Sequence, residues 1–345
     1  MKKVGNIRCH VVCRGSVAEC GRQYGEAARE FIAVEAALFG YDGKVNGEMK
    51  NFAGFAALSL KDHAPDILEE LEGIAAGSNL PPEVLLMMNV WESVAFARMP
   101  DRCTTFLLRN SERGTVVAKN NDGPEDERKT APFILREVHP DKGIPFIQVT
   151  YAGWLSGLDM MNSEGLANTH GSVGSVLPRP GNRLDIRLQC YKLMKECRTA
   201  EEFCRRLPEV PLTGKGFSIA VADCRKNNAI IEAAVPQVLI REKAADFAFS
   251  TNLYYAPQLA GCDARTPESK VLNTKRKEFL ENYPAPGSLA DLQTLMRKHG
   301  EFAPCRHGKG KESLTFWSMI ALPEERKLLL TPDSPCKSEY IEFDV

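Results

Sequence analysis

The hydrophobic period of the chain changes at Met99-Pro-Asp-Arg102, and no other sequence feature constrains the fold as strongly. Before that point apolar residues recur at helical spacing. Tyr24, Ala28, Phe31 and Ile32 follow the capping box Ser16-Val-Ala-Glu19, and Ile67, Leu68, Leu71, Ile74 and Ala75 form a second stripe. The spacing predicts a short strand over 8–13, a helix over 17–38, a loop marked by Gly40, Gly43 and Gly47, and a helix that Gly77 ends. Pro81-Pro82 opens a third helix carrying Val84, Leu85, Met88, Trp91 and Ala95.

From Cys103 onward the period drops to two or the run becomes continuously apolar. Strands are expected over 104–109, 115–120, 133–138, 145–151 and 165–169, the first two joined as a hairpin by the turn at 110–114. Helices over 184–197 and 200–207, strands over 217–222, 229–235 and 247–251, helices over 267–283 and 288–298, and strands over 314–322 and 326–331 complete the chain. Runs of strands, then helices, then strands imply large, mostly antiparallel sheets with helices on their outer faces. Residues 1–102 therefore read as a mainly helical segment and 103–345 as a sheet-rich region.

Composition excludes several functions. A hydrophobic share of 43%, a charged share of 26% and a net charge of −1 describe a soluble globular protein with no pull toward nucleic acid. No apolar run reaches membrane-spanning length and the first residues lack the apolar core of a signal peptide, so a cytoplasmic protein without membrane partners is expected. The eleven cysteines are scattered from Cys9 to Cys336 with no CxxC pair and no Cys/His cluster along the sequence. They read as reduced, buried small hydrophobes, and no metal site is expected. Cys190, Cys197 and Cys204 recur every seventh residue, but the capping box Thr199-Ala-Glu-Glu202 starts a new helix among them, so the spacing carries no meaning. GxSxG, Walker, HExxH and dinucleotide-binding patterns are missing. His170 lies on an expected strand and reads as a structural histidine.

Cys103 remains, on the first residue of the sheet-rich region. By composition it is a buried strand cysteine. Three features favour a nucleophile: a strand end is open to substrate, Thr104 and Thr105 set hydroxyls beside it, and the hairpin returns Lys119-Asn-Asn-Asp-Gly123 to its neighbourhood. That last stretch also fits a plain solvated turn.

The stretches Asp101-Arg102-Cys103-Thr104-Thr105, Asn120-Asn121-Asp122, Met161-Asn162-Ser163-Glu164-Gly165-Leu166-Ala167-Asn168 and Thr251-Asn252, in this order, resemble the autoproteolytic acyltransferase family of penicillin biosynthesis, which also holds amide hydrolases. Trp317-Ser318 and Asp333-Ser-Pro-Cys336 extend the resemblance to the end of the chain. It implies an α+β four-layer αββα sandwich of the N-terminal-nucleophile hydrolase superfamily, with 1–102 as pro-segment and self-cleavage between Arg102 and Cys103. The freed α-amine, with a pKa of about 7.7 to 8.0, would take the thiol proton of the same residue. The thiolate would attack a small acyl-amide or acyl-thioester without a cofactor, and water or an amine would resolve the acyl-enzyme. The resemblance further implies Asp122 as the carboxylate that orients the amine, Asn252 as an oxyanion donor, and Thr105, Asn120 and Arg306 as substrate contacts. A protein of the same fold that stays uncleaved and only binds is the alternative.

Overall fold

The computed structural model describes residues 7–90, 103–124, 133–175, 181–242, 245–308 and 313–345. Trp91, Ala95, Arg102, Pro178 and Pro180 lie outside the described residues. The segment before residue 103 contains β1 (Ile7–Gly15), α1 (Val17–Ala27), α2 (Arg29–Leu38), α3 (Gly47–His63), α4 (Pro65–Ser78) and α5 (Pro82–Val90). After it come β2 (Thr104–Ser111), β3 (Gly114–Pro124), β4 (Phe133–Pro140), β5 (Phe146–Tyr151), β6 (Met160–Asn162), β7 (Ala167–Val173), β8 (Leu184–Asp185), α6 (Ile186–Glu196), α7 (Ala200–Arg206) and β9 (Leu212–Thr213). The chain closes with β10 (Gly216–Ala222), β11 (Asn228–Ala234), β12 (Gln237–Glu242), β13 (Phe247–Ser250), α8 (Pro267–Asn282), α9 (Leu289–Met296), β14 (Ser313–Leu322), β15 (Lys327–Thr331) and β16 (Ile341–Asp344).

One sheet has the order β1-β4-β5-β6-β7-β10-β11-β12 and the other β13-β2-β3-β14-β15-β16. Pairing within both is antiparallel except for β1, which runs parallel to β4 and joins the segment before residue 103 to the sheet-rich region. Along β2 the side chains alternate, as a strand requires. Leu107 faces the other sheet with Val117, Phe133, Ile147, Phe316 and Trp317, while Phe106 and Leu108 face Leu280, Leu289 and Leu292 of α8 and α9. The opposite face of the eight-stranded sheet packs under α1 to α7 through Ile32, Leu71, Leu85, Ile134, Leu193 and Phe203. The layers are helix, sheet, sheet, helix, which is the expected αββα sandwich.

The expected helix over 17–38 is two helices, because Ala28 leaves helical geometry at φ −106° and ψ 11°. Gly77 does not end its helix. α4 stops at Asn79, in the left-handed region at φ 61°, and Gly77 instead lets α4 touch α1 backbone to backbone. A Cβ on Gly77 would sit 2.1 Å from the Arg22 carbonyl, and one on Gly21 would sit 2.3 Å from the Glu70 carbonyl. The glycine-marked loop is also shorter than expected, since Asn46 caps α3 by accepting from the Met49 N–H at 2.9 Å.

Candidate active site

Cys103 immediately precedes β2, and its thiol lines a cavity of about 560 Å³ walled by both sheets and by α2. The walls are largely apolar: Leu38, Phe39, Phe133, Val149, Tyr151, Trp154, Leu158, Phe217 and Trp317. Cys103 is 5% exposed and sits at φ +79°, a left-handed conformation that costs a side-chain-bearing residue about 1–3 kcal/mol. The register places Thr104 opposite Asn120, which returns the end of β3 to the cysteine as the hairpin pattern predicts. The thiol donates to Asn121 Oδ1 at 3.6 Å and accepts from the backbone N–H of Asp122. Burial pushes the thiol pKa up, opposed by the charge of Lys119 and by that N–H.

Asp122 is 1% exposed. Its Oδ1 accepts from the Thr315 hydroxyl at 2.7 Å, and its Oδ2, like Asn121 Nδ2, has no hydrogen-bond partner among the described residues. Burial raises its pKa against the pull of Arg306, Arg276 and the Thr315 hydroxyl. Arg276, buried on α8, lies 3.9 Å from Asp122 Oδ2. It donates to the Cys103 carbonyl at 3.1 Å, the Thr104 hydroxyl at 2.5 Å, Asn273 Oδ1 at 2.8 Å and Asn252 Oδ1 at 2.9 Å. One guanidinium thus ties the backbone of Cys103 to Asn252 and lies within ion-pair range of Asp122.

Beneath the thiol, Lys119 is fully buried, with its ammonium 2.6 Å from Asp159 Oδ2, 3.3 Å from His170 Nδ1 and 5.4 Å from the Trp317 ring. Burial opposes ionisation of Asp159, but His170 and Lys119 hold its carboxyl well below the usual carboxylate range. His170 lines the cavity, with its Nδ1 3.3 Å from Asp159 Oδ2.

The other expected residues divide. Arg306 is brought to Asp122, and its backbone N–H donates to Thr315 Oγ1 at 2.9 Å. Asn252 is reached through Arg276, with its Nδ2 donating to the Ser172 carbonyl at 2.8 Å. Asn120 and Thr105 are buried and do not line the cavity. Asn120 Nδ2 is bound to the Met296 and Pro304 carbonyls at 2.8 and 3.0 Å, because alternation along β3 points it toward α9 while its neighbour Asn121 points to the cavity. His299, Cys305, His307 and Cys336, which come from three pieces of the chain, bring their donor atoms within 4.8 Å of one another.

Residues 109–337, about two thirds of the chain, match the family model described as acyl-coenzyme A:6-aminopenicillanic acid acyl-transferase. The chain belongs to this family. The 40 kDa form of acyl-coenzyme A:6-aminopenicillanic-acid-acyltransferase from Emericella nidulans is 24% identical over 171 residues, 48% of this chain and 47% of that protein. This chain thus spans about half the length of that curated relative. Among solved structures, a Caenorhabditis elegans ortholog of N-acylethanolamine-hydrolyzing acid amidase is 13% identical, with 70% of this chain and all of that chain covered (100%) at a TM-score of 0.45. Penicillin V acylase from Agrobacterium tumefaciens is 14% identical, covering 70% and 86%, at a TM-score of 0.40. The part matching the acyl-transferase family takes in Asn121, Asp122, Asn252, Arg276 and Arg306 and begins after Cys103. In this acyl-transferase family member Lys119 was read from sequence only as part of the returning hairpin; of the residues missed, Asp159 had a signal, being a charge inside an apolar run, and Arg276, one of several cations on α8, had none.

Proposed function

We propose that the chain is a cysteine-nucleophile acyltransferase or amide hydrolase that matures by cleavage of its own Arg102–Cys103 bond. The observation that carries this reading is the position of the Cys103 thiol, on the wall of an apolar cavity and in contact with Asn121 and Asp122. The left-handed backbone at Cys103 supports attack of the thiol on the preceding carbonyl, since release of the bond relieves the strain. That attack moves the Arg102 acyl group from nitrogen to sulfur, and water then hydrolyses the thioester, releasing the Arg102 carboxylate. Cys103 is left with a free thiol and a free α-amine, for which Asp122 Oδ2, which accepts no hydrogen bond among the described residues, is a suitable anchor.

In the reaction proper, the α-amine takes the thiol proton and the sulfur attacks an acyl carbonyl. The carbonyl oxygen takes negative charge and is held by Asn121 Nδ2, a buried donor with no partner among the described residues. The amide C–N or thioester C–S bond then breaks, the leaving group receives the proton, and water or an amine attacks the Cys103 thioester to release the acyl group. Asn252 acts here by holding Arg276, and Arg276 by holding Cys103. A cavity of about 560 Å³ with aromatic walls suits an apolar acyl chain.

The test is intact-protein mass spectrometry under denaturing conditions on freshly expressed wild type and Cys103→Ala. Two fragments meeting at Arg102 and Cys103 in wild type, and one chain in the variant, are expected. A single full-length chain in both removes the α-amine as base.

A further inference from the structure

Outside this site, among the described residues, His299, Cys305, His307 and Cys336 form a group of potential metal donors. The four come from three separate pieces of chain: the residues just after α9, the loop leading to β14, and the C-terminal segment after β15. We propose that they bind one zinc ion as a closed Cys₂His₂ structural site.

Geometry is the first argument. His307 Nε2 lies 3.4 Å from Cys305 Sγ and 3.2 Å from Cys336 Sγ, and all four donor atoms fall within 4.8 Å of one another. A tetrahedral ion with Zn–S near 2.3 Å and Zn–N near 2.05 Å has S···N edges of about 3.5 to 3.6 Å, so little movement converts the observed group into a coordination shell. The His299 and His307 rings lie edge to face with centroids 4.6 Å apart, both turned to the same two sulfurs. Donor chemistry is the second argument, since two thiolates and two imidazoles favour zinc over the hard cations. Four protein ligands leave no open position, which assigns a structural rather than a catalytic role. Binding would release the two thiol protons as two Zn–S bonds form.

Need is the third argument. The loop carrying Cys305 and His307 has little regular structure, yet it sets Arg306 beside Asp122, and among the described residues it is tied to β3 and β14 through Pro304, Arg306, the Gly308 N–H on the Ser313 carbonyl and a bridge from His307 to Leu314. An ion anchoring the residues on both sides of Arg306 to α9 and to the C-terminal segment would hold that guanidinium in place.

The test does not depend on catalysis. Wild type, His299→Gln and Cys336→Ser are purified without metal-affinity steps after growth with zinc, and metal is counted by inductively coupled plasma mass spectrometry. About one zinc per wild-type chain is expected, and a marked loss in both variants. His299 is exposed, so its replacement leaves the fold intact. Cobalt(II) added to zinc-stripped, reduced wild type should give the intense visible absorption of tetrahedral thiolate coordination, and Cys336→Ser should not. Absence of both zinc and the cobalt spectrum in wild type overturns the proposal. So does zinc retained equally by both variants, or a Cys305–Cys336 disulfide in protein alkylated at lysis.

Discussion

Glu70 on α4 is 2% exposed, and its carboxylate accepts from Arg136 Nη2 on β4, from the Tyr191 hydroxyl at 2.8 Å and from Lys195 Nζ at 3.3 Å on α6. This buried group joins the segment before residue 103 to the region after it. Glu70→Leu would leave Arg136, which is fully buried, with its cation uncompensated, while Lys195 keeps Asp66 at 2.9 Å. Removing one partner of a buried pair costs about 3–5 kcal/mol. Unfolding entropy of about 2.1 cal/mol/K per residue over 345 residues amounts to roughly 0.7 kcal/mol/K, so the thermal midpoint should fall by roughly 4–7 °C. Glu70→Leu combined with Arg136→Met removes both charges and should recover most of the loss.

The measurement is thermal and urea denaturation of the wild type, both single variants and the double variant, across pH. Burial opposes ionisation of Glu70, but Lys195 and Arg136 hold its pKa below the ordinary value. Its contribution is therefore full above the unfolded value of about 4.3 and is lost as pH falls through the lower folded value. Wild type and Glu70→Leu should converge in acid. A single variant within about 0.5 kcal/mol of wild type at neutral pH, or a double variant as unstable as the single, refutes the reasoning.

Asp122→Asn should raise the thermal midpoint at neutral pH while abolishing cleavage and turnover. Burial has lifted this carboxyl pKa, so the charged form costs stability as pH rises through the folded value; a lowered midpoint would contradict this. Asn121→Ala should slow turnover by roughly 10²–10³ fold with little change in stability, as kinetics on the cleaved enzyme would reveal. Asn252→Ala, which removes one hydrogen-bond partner from Arg276 and one from the Ser172 carbonyl, should lower the melting temperature as well. Gly77→Ala should destabilise despite a helix-propensity gain of about 1 kcal/mol, because its Cβ would meet the Arg22 carbonyl at 2.1 Å; a rise in calorimetric midpoint would show that α1 and α4 can separate freely.

Local rules made much of the fold legible. Ser16, Thr199 and Thr266 cap their helices as their spacing predicts, with hydroxyls accepting from Glu19, Glu202 and Ser269 N–H groups. The hairpin that returns Asp122 to Cys103 was readable because the turn at 110–114 and the period of two sit side by side. What was hidden depends on partners far away in sequence. α3 was missed because Gly47 masked the Asn46 cap, and β16 because its four residues, though alternating apolar and charged, make too short a run to mark a strand. Asn120 and Asn121 are equivalent in sequence, and only the facing of β3 separates a structural amide from one aimed at the cavity. The Cys/His group was invisible for the same reason, since four residues spread from 299 to 336 have no ligand-like spacing until α9 and the C-terminal segment meet.

β1 carries a consequence for the life history of the protein. Its residues from Ile7 to Gly15 form one border of the eight-stranded sheet through a parallel ladder to β4, and the helices that follow it cover that sheet. A cut before Cys103 would leave this ladder untouched, so the two pieces would travel as one particle while being two molecules. Unfolding such a particle would then be a dissociation, and its recovery would depend on concentration, whereas the uncut precursor refolds at a rate independent of it. Maturation would thus convert a chain that can find its fold repeatedly into an assembly whose lifetime is set by how slowly it comes apart.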